Sequence, residues 1–221
     1  MKILALETAT EYCSVAVLQD GELVERFEHR PREQTARVLP MVDELLANAG
    51  LSLTQLDALA FGQGPGAFTG VRIAASVVQG LAFSASLPVV GVSTLASVAL
   101  AAADSAGEGD WLVALDARMQ QVYSAVYRVA ADDQLTCLSA DGLYDPGEVD
   151  VPEGVMAAGD GQHYEALSGR LPADRWIAGV APRAGTVARL ARHKWLSGET
   201  MAARDAQPVY LRDKVIQGAV R

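Results

Sequence analysis

The sequence lacks the residue patterns of several protein classes. It has two cysteines, Cys13 and Cys137, which lie far apart and in no CxxC pair, so neither a disulfide framework nor a zinc knuckle is indicated. Its three histidines form no HxxxH or HExxH pair, which disfavours a metal site and, with it, a metallopeptidase. There is also no Walker lysine, no GxGxxG and no nucleophile elbow.

Basic residues are the minority charge and form no run. The 221 residues carry 18 Lys and Arg against 27 Asp and Glu, a net charge of −9. Because an acidic surface repels phosphate backbones, we do not expect the chain to bind nucleic acid on its own. A partner in a complex would have to supply the basic surface.

Charge is absent altogether from residues 73–103. A run of that length meets the length criterion for a membrane span, but this one is rich in Ala, Ser and Gly and is broken by Pro88. We therefore expect a buried helix, a short strand and a second helix, and no membrane segment. Glu7 interrupts any signal-peptide core, so a cytoplasmic location is predicted.

Hydrophobic periodicity and turn residues predict an alternation of strands and helices. Gly50 and the Gly/Pro loop 62–66 mark two of the boundaries, and the polar stretch 106–110 marks the main break. Strands are predicted at 2–8, 12–18, 22–29, 56–61, 89–92, 111–115, 122–129 and 135–140, helices at 32–49, 68–84, 94–103 and 183–196, and an extended tail at 207–212.

An internal repeat bears on the fold. LALETATEYCSVAV, residues 4–17, matches VALDARMQQVYSAV, residues 113–126, without gaps, and Glu7 recurs as Asp116. Chance similarity of two apolar hairpins is one interpretation. The other is a duplicated two-lobe α/β fold with mixed sheets, of the actin, hexokinase and Hsp70 type (ribonuclease H-like). Its lobes would be 1–105 and 106–204, with the tail at about 205–221 available to complete the first.

Polar side chains at the two hairpins form a candidate nucleotide cleft. Carboxylates at strand ends can hold hydrated Mg²⁺, and nearby hydroxyls can donate to an anion. Neither turn contains glycine, which working phosphate-binding hairpins of this fold need for close backbone approach. Solvated strand-end acids are the simpler interpretation, and a weak Mg-dependent nucleotide-binding protein or ATPase is the alternative function. The residues concerned are Glu7, Thr8, Thr10, Ser14 and Asp116.

The predicted helix 68–84 is apolar on all sides, with Arg72 as its single charge. Its own sheet can cover only one face, so the other must be buried by the rest of the chain or by another subunit. Ser76, Gly80 and Ser84 lie four apart and would let a second helix approach. With helix 32–49 it is predicted to form a partner surface that includes Val38, Met41, Val42, Leu45, Val71, Ala74, Val77, Val78 and Leu81.

Five segments carry a family resemblance. KILALETATEYCSVAV, GQGPGAFTGVRIAASVVQGLA, GVSTLASVA, ALDARMQQVY and PVYLRDKV resemble the bacterial tRNA threonylcarbamoyladenosine biosynthesis protein TsaB family. The resemblance runs from residue 1 to about 215 and is weakest over 130–204. It implies an actin/Hsp70-like two-lobe fold that is paralogous to the catalytic subunit TsaD.

The resemblance also implies a function. Members of the family are needed to modify the adenosine beside the tRNA anticodon, without performing the transfer themselves. It implies a heterodimer with a TsaD-like subunit, a TsaE-like ATPase in a larger complex, and a homodimer when the chain is alone. It further implies that tRNA is met only through the complex, that no cofactor is tightly bound by this chain alone, and that ATP and Mg²⁺ act at the level of the complex.

One departure from the paralogue supports a non-catalytic role. The catalytic paralogues carry a metal-binding HxxxH after a VVGV-like strand, and Ser93 and Ser97 fall at the two histidine positions here. Serine cannot replace imidazole as a transition-metal ligand. The resemblance, with this departure, implies that the chain does not catalyse independently.

Overall fold

Two five-stranded mixed sheets organise the computed structural model, which describes residues 1–212. The first has the strand order β3-β2-β1-β4-β5 and the second β8-β7-β6-β9-β10. The strands are Lys2–Glu7 (β1), Tyr12–Gln19 (β2), Glu22–His29 (β3), Ala58–Gly64 (β4), Val89–Ser93 (β5), Gly109–Asp116 (β6), Val122–Ala130 (β7), Gln134–Tyr144 (β8), Met156–Ala158 (β9) and Trp176–Ile177 (β10). The helices are Gln34–Asn48 (α1), Phe68–Ala85 (α2), Thr94–Ala106 (α3), Glu165–Ser168 (α4) and Ala184–Leu196 (α5).

The two sheets repeat one topology. In each, the first strand pairs antiparallel with the second strand of its hairpin and parallel with a later strand: β1 with β2 and β4, β6 with β7 and β9. The third strand then adds to the outer side of the hairpin. The predicted duplicated two-lobe fold is confirmed at the level of strand order.

The gap-free sequence match fails in one detail. Ala5 pairs with Ala16 in the first hairpin, but Ala114 pairs with Ser124, not with Ala125, in the second. The β6–β7 turn is therefore one residue tighter than the β1–β2 turn. It is closed by consecutive residues with left-handed backbone conformations, Arg118, Met119 and Gln120.

Helices α3 and α5 lie between the two sheets. Although α3 follows β5 of the first sheet, it packs mainly on β6 and β7 of the second. Helix α5 falls within 106–204 by sequence, yet it packs on β1, β2 and β4 of the first sheet. One core cluster consequently contains Ile3, Leu95, Trp111 and Val187, which come from both sheets and both helices.

Helices α1 and α2 cover the opposite face of the first sheet and bury a second core there. Of the described helices, α2 is the one long and apolar enough to cross a membrane by length and composition, and 33% of that segment is buried in the fold. Residues 73–103 cover most of α2, all of β5 and most of α3, so the predicted division into helix, strand and helix is confirmed.

The tail up to residue 212 lies along the first lobe. The Val209 amide donates to the Gln63 carbonyl at 2.7 Å, and Gln79 Nε2 donates to the Ala206 carbonyl at 2.9 Å. Arg212 then reaches the β6–β7 turn of the second lobe. Residues 213–221, which the sequence assigned to the same tail, lie outside the described residues.

Candidate functional site

The Glu7 carboxyl group is buried at the end of β1, where the first hairpin turns. Only 1% of the residue is exposed, and its Oε1 accepts the Ala9 amide at 2.7 Å. The Thr94 hydroxyl approaches the other oxygen at 3.4 Å. A Cβ on Gly62 would lie 1.9 Å from Oε2, so β4 packs directly against the carboxyl group and requires glycine there. Desolvation by burial outweighs these hydrogen bonds and raises the pKa of Glu7 from 4.5 to about 7.

The turn after Glu7 is filled by the start of α2. The Thr8 hydroxyl donates to the Gly70 carbonyl at 2.7 Å, and the Ala67 amide donates to the Ala9 carbonyl at 2.7 Å. A Cβ on Gly70 would lie 2.1 Å from the Thr8 carbonyl oxygen. Glycine at this position of α2 therefore permits a close contact between the helix and the first hairpin. The backbone that a glycine leaves accessible is used here for that contact and not for a phosphate.

The remaining cleft candidates have separate surroundings. Ser14 is buried, donates to Glu25 Oε1 at 2.7 Å and accepts the Ala184 amide at 3.0 Å. Thr10 is half-buried and its hydroxyl accepts the Tyr12 amide at 3.4 Å. These contacts do not bring the Ser14 and Thr10 hydroxyls together at a common anion site.

Asp116 is the most accessible of the predicted cleft acids. It accepts the Tyr164 hydroxyl at 2.7 Å and pairs with Arg118 at 2.9 Å, while its amide donates to Asp160. Within residues 1–212 it shares no hydrogen-bond partner with Glu7. The structure thus buries Glu7, Thr8 and Ser14 and leaves Asp116 partly accessible, and a nucleotide cleft between the two hairpins stays a prediction.

Ser93 joins the two lobes. Its hydroxyl caps α3 by accepting the amides of Leu95 and Ala96, and it donates to Asp141 Oδ2 at 2.5 Å. Asp141 also accepts the Tyr127 hydroxyl, and burial raises the pKa of this carboxyl group. A side chain of the first lobe is thereby tied to strands β7 and β8 of the second.

Ser97, one turn further along α3, is fully buried. It accepts the Arg183 amide at 3.1 Å and lies 2.6 Å from the Thr186 hydroxyl, which fixes the start of α5. Both serines at the paralogue's histidine positions are therefore engaged in structural hydrogen bonds. Across residues 1–212, no three His, Cys, Asp or Glu side chains cluster as a metal would require, so the residues present do not fit the paralogue's metal.

The predicted partner surface needs a correction. Seven of its nine residues are at most 2% exposed and belong to the chain's own core, because the single apolar stripe of α1 and the small-residue side of α2 both face the first sheet. Only Val77 and Leu81 are half-buried. The seven residues that cannot line an exposed surface are Val38, Met41, Val42, Leu45, Val71, Ala74 and Val78.

A different face of α2 is left uncovered. Phe83 is 83% exposed, and the small residues at four-residue spacing, Ser76, Gly80 and Ser84, are exposed beside it. Leu39 on α1 is 47% exposed. We call these residues, together with Val77 and Leu81, the outer helix face. The small-residue spacing and the all-round apolarity of α2 were the sequence signals for it.

The duplicated lobes and their sheet topology define a two-lobed α/β protein of the actin- and Hsp70-like class. A family model described as TsaD, tRNA N6-adenosine threonylcarbamoyltransferase, matches residues 28–163. The chain is 40% identical over 97% of its length to the tRNA threonylcarbamoyladenosine biosynthesis protein TsaB of Escherichia coli, covering 96% of that protein. The Haemophilus influenzae TsaB is also 40% identical over 97% of the chain, which covers 95% of that protein.

A solved structure agrees with these relatives. YeaZ from Pseudomonas aeruginosa superimposes with a TM-score of 0.88 at 41% identity, covering 95% of this chain and 99% of that one. The chain belongs to the TsaB family, within the wider family that the TsaD model describes.

Proposed function

We propose that this chain is a non-catalytic subunit in the synthesis of tRNA threonylcarbamoyladenosine, and that it binds and tunes a TsaD-like catalytic paralogue. The relatives that match almost the whole chain are named as proteins of tRNA threonylcarbamoyladenosine biosynthesis, which supports the process. The single observation that supports a binding role is the outer helix face, where Phe83 is 83% exposed and Val77 and Leu81 are only half-buried. An exposed apolar patch of this kind marks an interaction site.

The environment of the hairpin acids supports the non-catalytic part of the proposal. Glu7 is enclosed by the chain's own backbone and has no cation beside it within the described structure. Ser93 and Ser97 hold the two lobes together and offer no imidazole. A catalytic partner would have to contribute the metal ligands, the nucleotide and the reacting groups.

The shape of the outer helix face suits another helix. Ser76, Gly80 and Ser84 would allow a close helix approach, while Phe83 and Leu39 would insert between the partner's side chains. A specific complex needs on the order of 1,600 Å² of buried surface in total, so α1 and α2 would have to engage together. We propose a homodimer through the same face when the partner is absent, and a TsaE-like ATPase joining the heterodimer.

The test combines binding with modification. Phe83→Glu and the double variant Val77→Glu/Leu81→Glu should abolish co-purification of the TsaD-like subunit, whereas Leu138→Glu on β8, 46% exposed in the native chain, should not. Circular dichroism checks that each variant is folded. Reconstituted tRNA modification should require the chain and fail with Phe83→Glu. A complex that survives both outer-face variants would contradict the proposal.

A further inference from the structure

Near its N-terminal end, α2 carries an arginine that lies against two aromatic rings whose centroids are 6.0 Å apart. The Arg72 guanidinium carbon lies 3.4 Å from the centroid of the Phe68 ring and 5.3 Å from that of Tyr210. Arg72 Nε donates to the Tyr210 hydroxyl at 2.7 Å. Phe68 is 42% exposed and Tyr210 44%, so the stack lies on the surface.

The same surface continues to the second lobe. Two residues after Tyr210, Arg212 donates from Nη2 to the Ala117 and Arg118 carbonyls, and its Nη1 lies 3.4 Å from the Met119 sulfur. The tail therefore connects the α2 stack to the β6–β7 turn. We call the continuous set Phe68, Arg72, Arg118, Met119, Tyr210 and Arg212 the arginine–aromatic ridge.

The arginines of the ridge are poorly neutralised for so acidic a protein. Within residues 1–212, Arg72 and Arg212 form no ion pair, and Arg118 pairs with Asp116 while its side chain stays 79% exposed. By contrast, Arg37 and Arg189 each pair with two carboxylates. The net charge of −9 does not cancel this local excess at a distance, since the Debye length is about 8 Å at physiological salt.

The donors of Arg72 are largely unused. A guanidinium has five N–H donors, and within the described chain Arg72 employs only Nε. The contact with Phe68 and the hydrogen bond to Tyr210 hold the group in place in advance, so little side-chain freedom remains to be lost on binding. Such a fixed fork matches the oxygens of a phosphate or the edge of a base.

The β6–β7 turn is held in a costly conformation at the other end of the ridge. Arg118, Met119 and Gln120 all have φ between 54° and 61°, where a non-glycine residue costs about 1–2 kcal/mol. The donations from Arg212 to the turn's carbonyls stabilise it. The conformation presents Arg118 and the 66% exposed Met119 outward, and strain of this kind is concentrated at functional surfaces.

We propose that the arginine–aromatic ridge binds single-stranded RNA in the assembled complex, with bases stacking on Tyr210 and Phe68 and phosphates meeting Arg72, Arg118 and Arg212. Exposed rings interleaved with arginines are the features that recognise unpaired nucleotides. The inference rests on the proposed function, because the tRNA of that reaction supplies the RNA. Association with the catalytic subunit raises the effective concentration enough for a small site on an acidic chain to contribute.

The experiment uses the full chain in complex with the TsaD-like subunit and a fluorescent RNA hairpin that has a single-stranded loop. Replacing Arg72 and Tyr210 together, as Arg72→Gln/Tyr210→Ala, should weaken binding roughly tenfold, since stacking contributes about 1–3 kcal/mol per base. The salt dependence should also become shallower. Arg192→Gln is the matched control, because Arg192 is an exposed arginine that forms no ion pair with residues 1–212.

Subunit assembly is measured separately by light scattering. If the ridge variant loses the catalytic subunit, the ridge is a protein contact and the RNA proposal is wrong. If the complex forms and RNA affinity is unchanged, the ridge proposal fails while the proposed function stands. If the native chains do not assemble, the proposed function fails. The ridge is then tested by measuring RNA binding of the isolated chain at low salt. Equal RNA affinity of the native chain and the ridge variant would overturn the ridge proposal.

Discussion

The Glu7 carboxyl group shows what enclosure does to a single side chain. It sits against the Gly62 backbone, where desolvation outweighs the hydrogen bonds from Ala9 and Thr94 and raises its pKa to about 7. Near neutral pH the group therefore carries a proton much of the time. Within residues 1–212, the side chain also belongs to no cluster of three His, Cys, Asp or Glu residues that could hold a metal ion.

Replacing Glu7 should change how the free energy of unfolding depends on pH. The folded pKa of about 7 lies above the unfolded value of 4.5, so the group's contribution to stability is complete below pH 4.5 and is lost as pH rises through 7. Each pKa unit corresponds to about 1.4 kcal/mol, so the loss is about 3 kcal/mol. Urea denaturation should show Glu7→Gln gaining that amount over the native chain between pH 4.5 and 8.

The matched control is Glu11→Gln, in the same turn, whose parent side chain is 64% exposed. The pH-dependent gain predicted for Glu7→Gln should exceed any change that Glu11→Gln shows over the same pH interval. A pH-independent difference between Glu7→Gln and the native chain would show that folding does not raise the pKa of Glu7.

Among the secondary-structure elements, α2 is positioned by its glycines. Gly70 faces the first hairpin, where a Cβ would lie 2.1 Å from the Thr8 carbonyl oxygen, whereas Gly80 faces solvent with nothing within 4 Å. Gly70→Ala should therefore destabilise the chain by roughly 1–3 kcal/mol through overpacking. Gly80→Ala should stabilise it by roughly 0.5–1 kcal/mol because the helix interior prefers alanine.

The two substitutions are chemically identical and lie in one helix, so each controls for the other in thermal or urea unfolding. Gly80→Ala has a second expected consequence: the added methyl group on the outer helix face should weaken binding of the TsaD-like subunit while the isolated chain becomes more stable. Equal effects of the two alanines on unfolding would contradict the close contact at Gly70.

The sequence predicted α2 well but not its orientation. Its predicted bounds, 68–84, differ by one residue from Phe68–Ala85, because apolar periodicity and the Gly/Pro loop define both ends. Since the helix is apolar all round, hydrophobic periodicity could not show which of its faces would pack on the sheet. The sheet took the side bearing Gly70, Ala74 and Ala75, where small residues allow close packing, and this left Phe83 outside.

For other elements, the prediction failed because the strands are too short. Strands β9 and β10 have three and two residues, too few for an alternating pattern, and the sequence predicts no strand between residues 140 and 183. For α1 the amphipathic pattern was correct, but its apolar stripe serves the chain's own core. The sheet duplication was predictable because Glu7 and Asp116 end equivalent strands; the one-residue difference between the turns was not.

In the whole molecule, α3 and α5 make the two lobes mutually dependent. Each helix is contributed by one half of the sequence and packs on the sheet of the other half. Arg189 on α5 adds ion pairs to Asp104 on α3 and to Asp133 in the β7–β8 turn, and Ser93 is tied to Asp141. Unfolding should consequently be a single cooperative transition, since neither sheet can lose its helix without exposing the shared core.

Because α3 and α5 each pack on the sheet of the other half, the structure predicts how the separated fragments 1–105 and 106–221 behave. The fragment 1–105 contains the first sheet with α1, α2 and nearly all of α3, but it lacks α5, which packs on β1, β2 and β4. Much of the face carrying Ile3, Ala5 and Ala16 would therefore be exposed to water. We expect the fragment alone to lack the dispersed amide resonances of a folded protein. Co-expressed with 106–221 it should regain them, because α5 is supplied in trans. A fragment 1–105 that folds by itself, with a cooperative unfolding transition, would show that the first lobe is autonomous and that the shared core is dispensable to it.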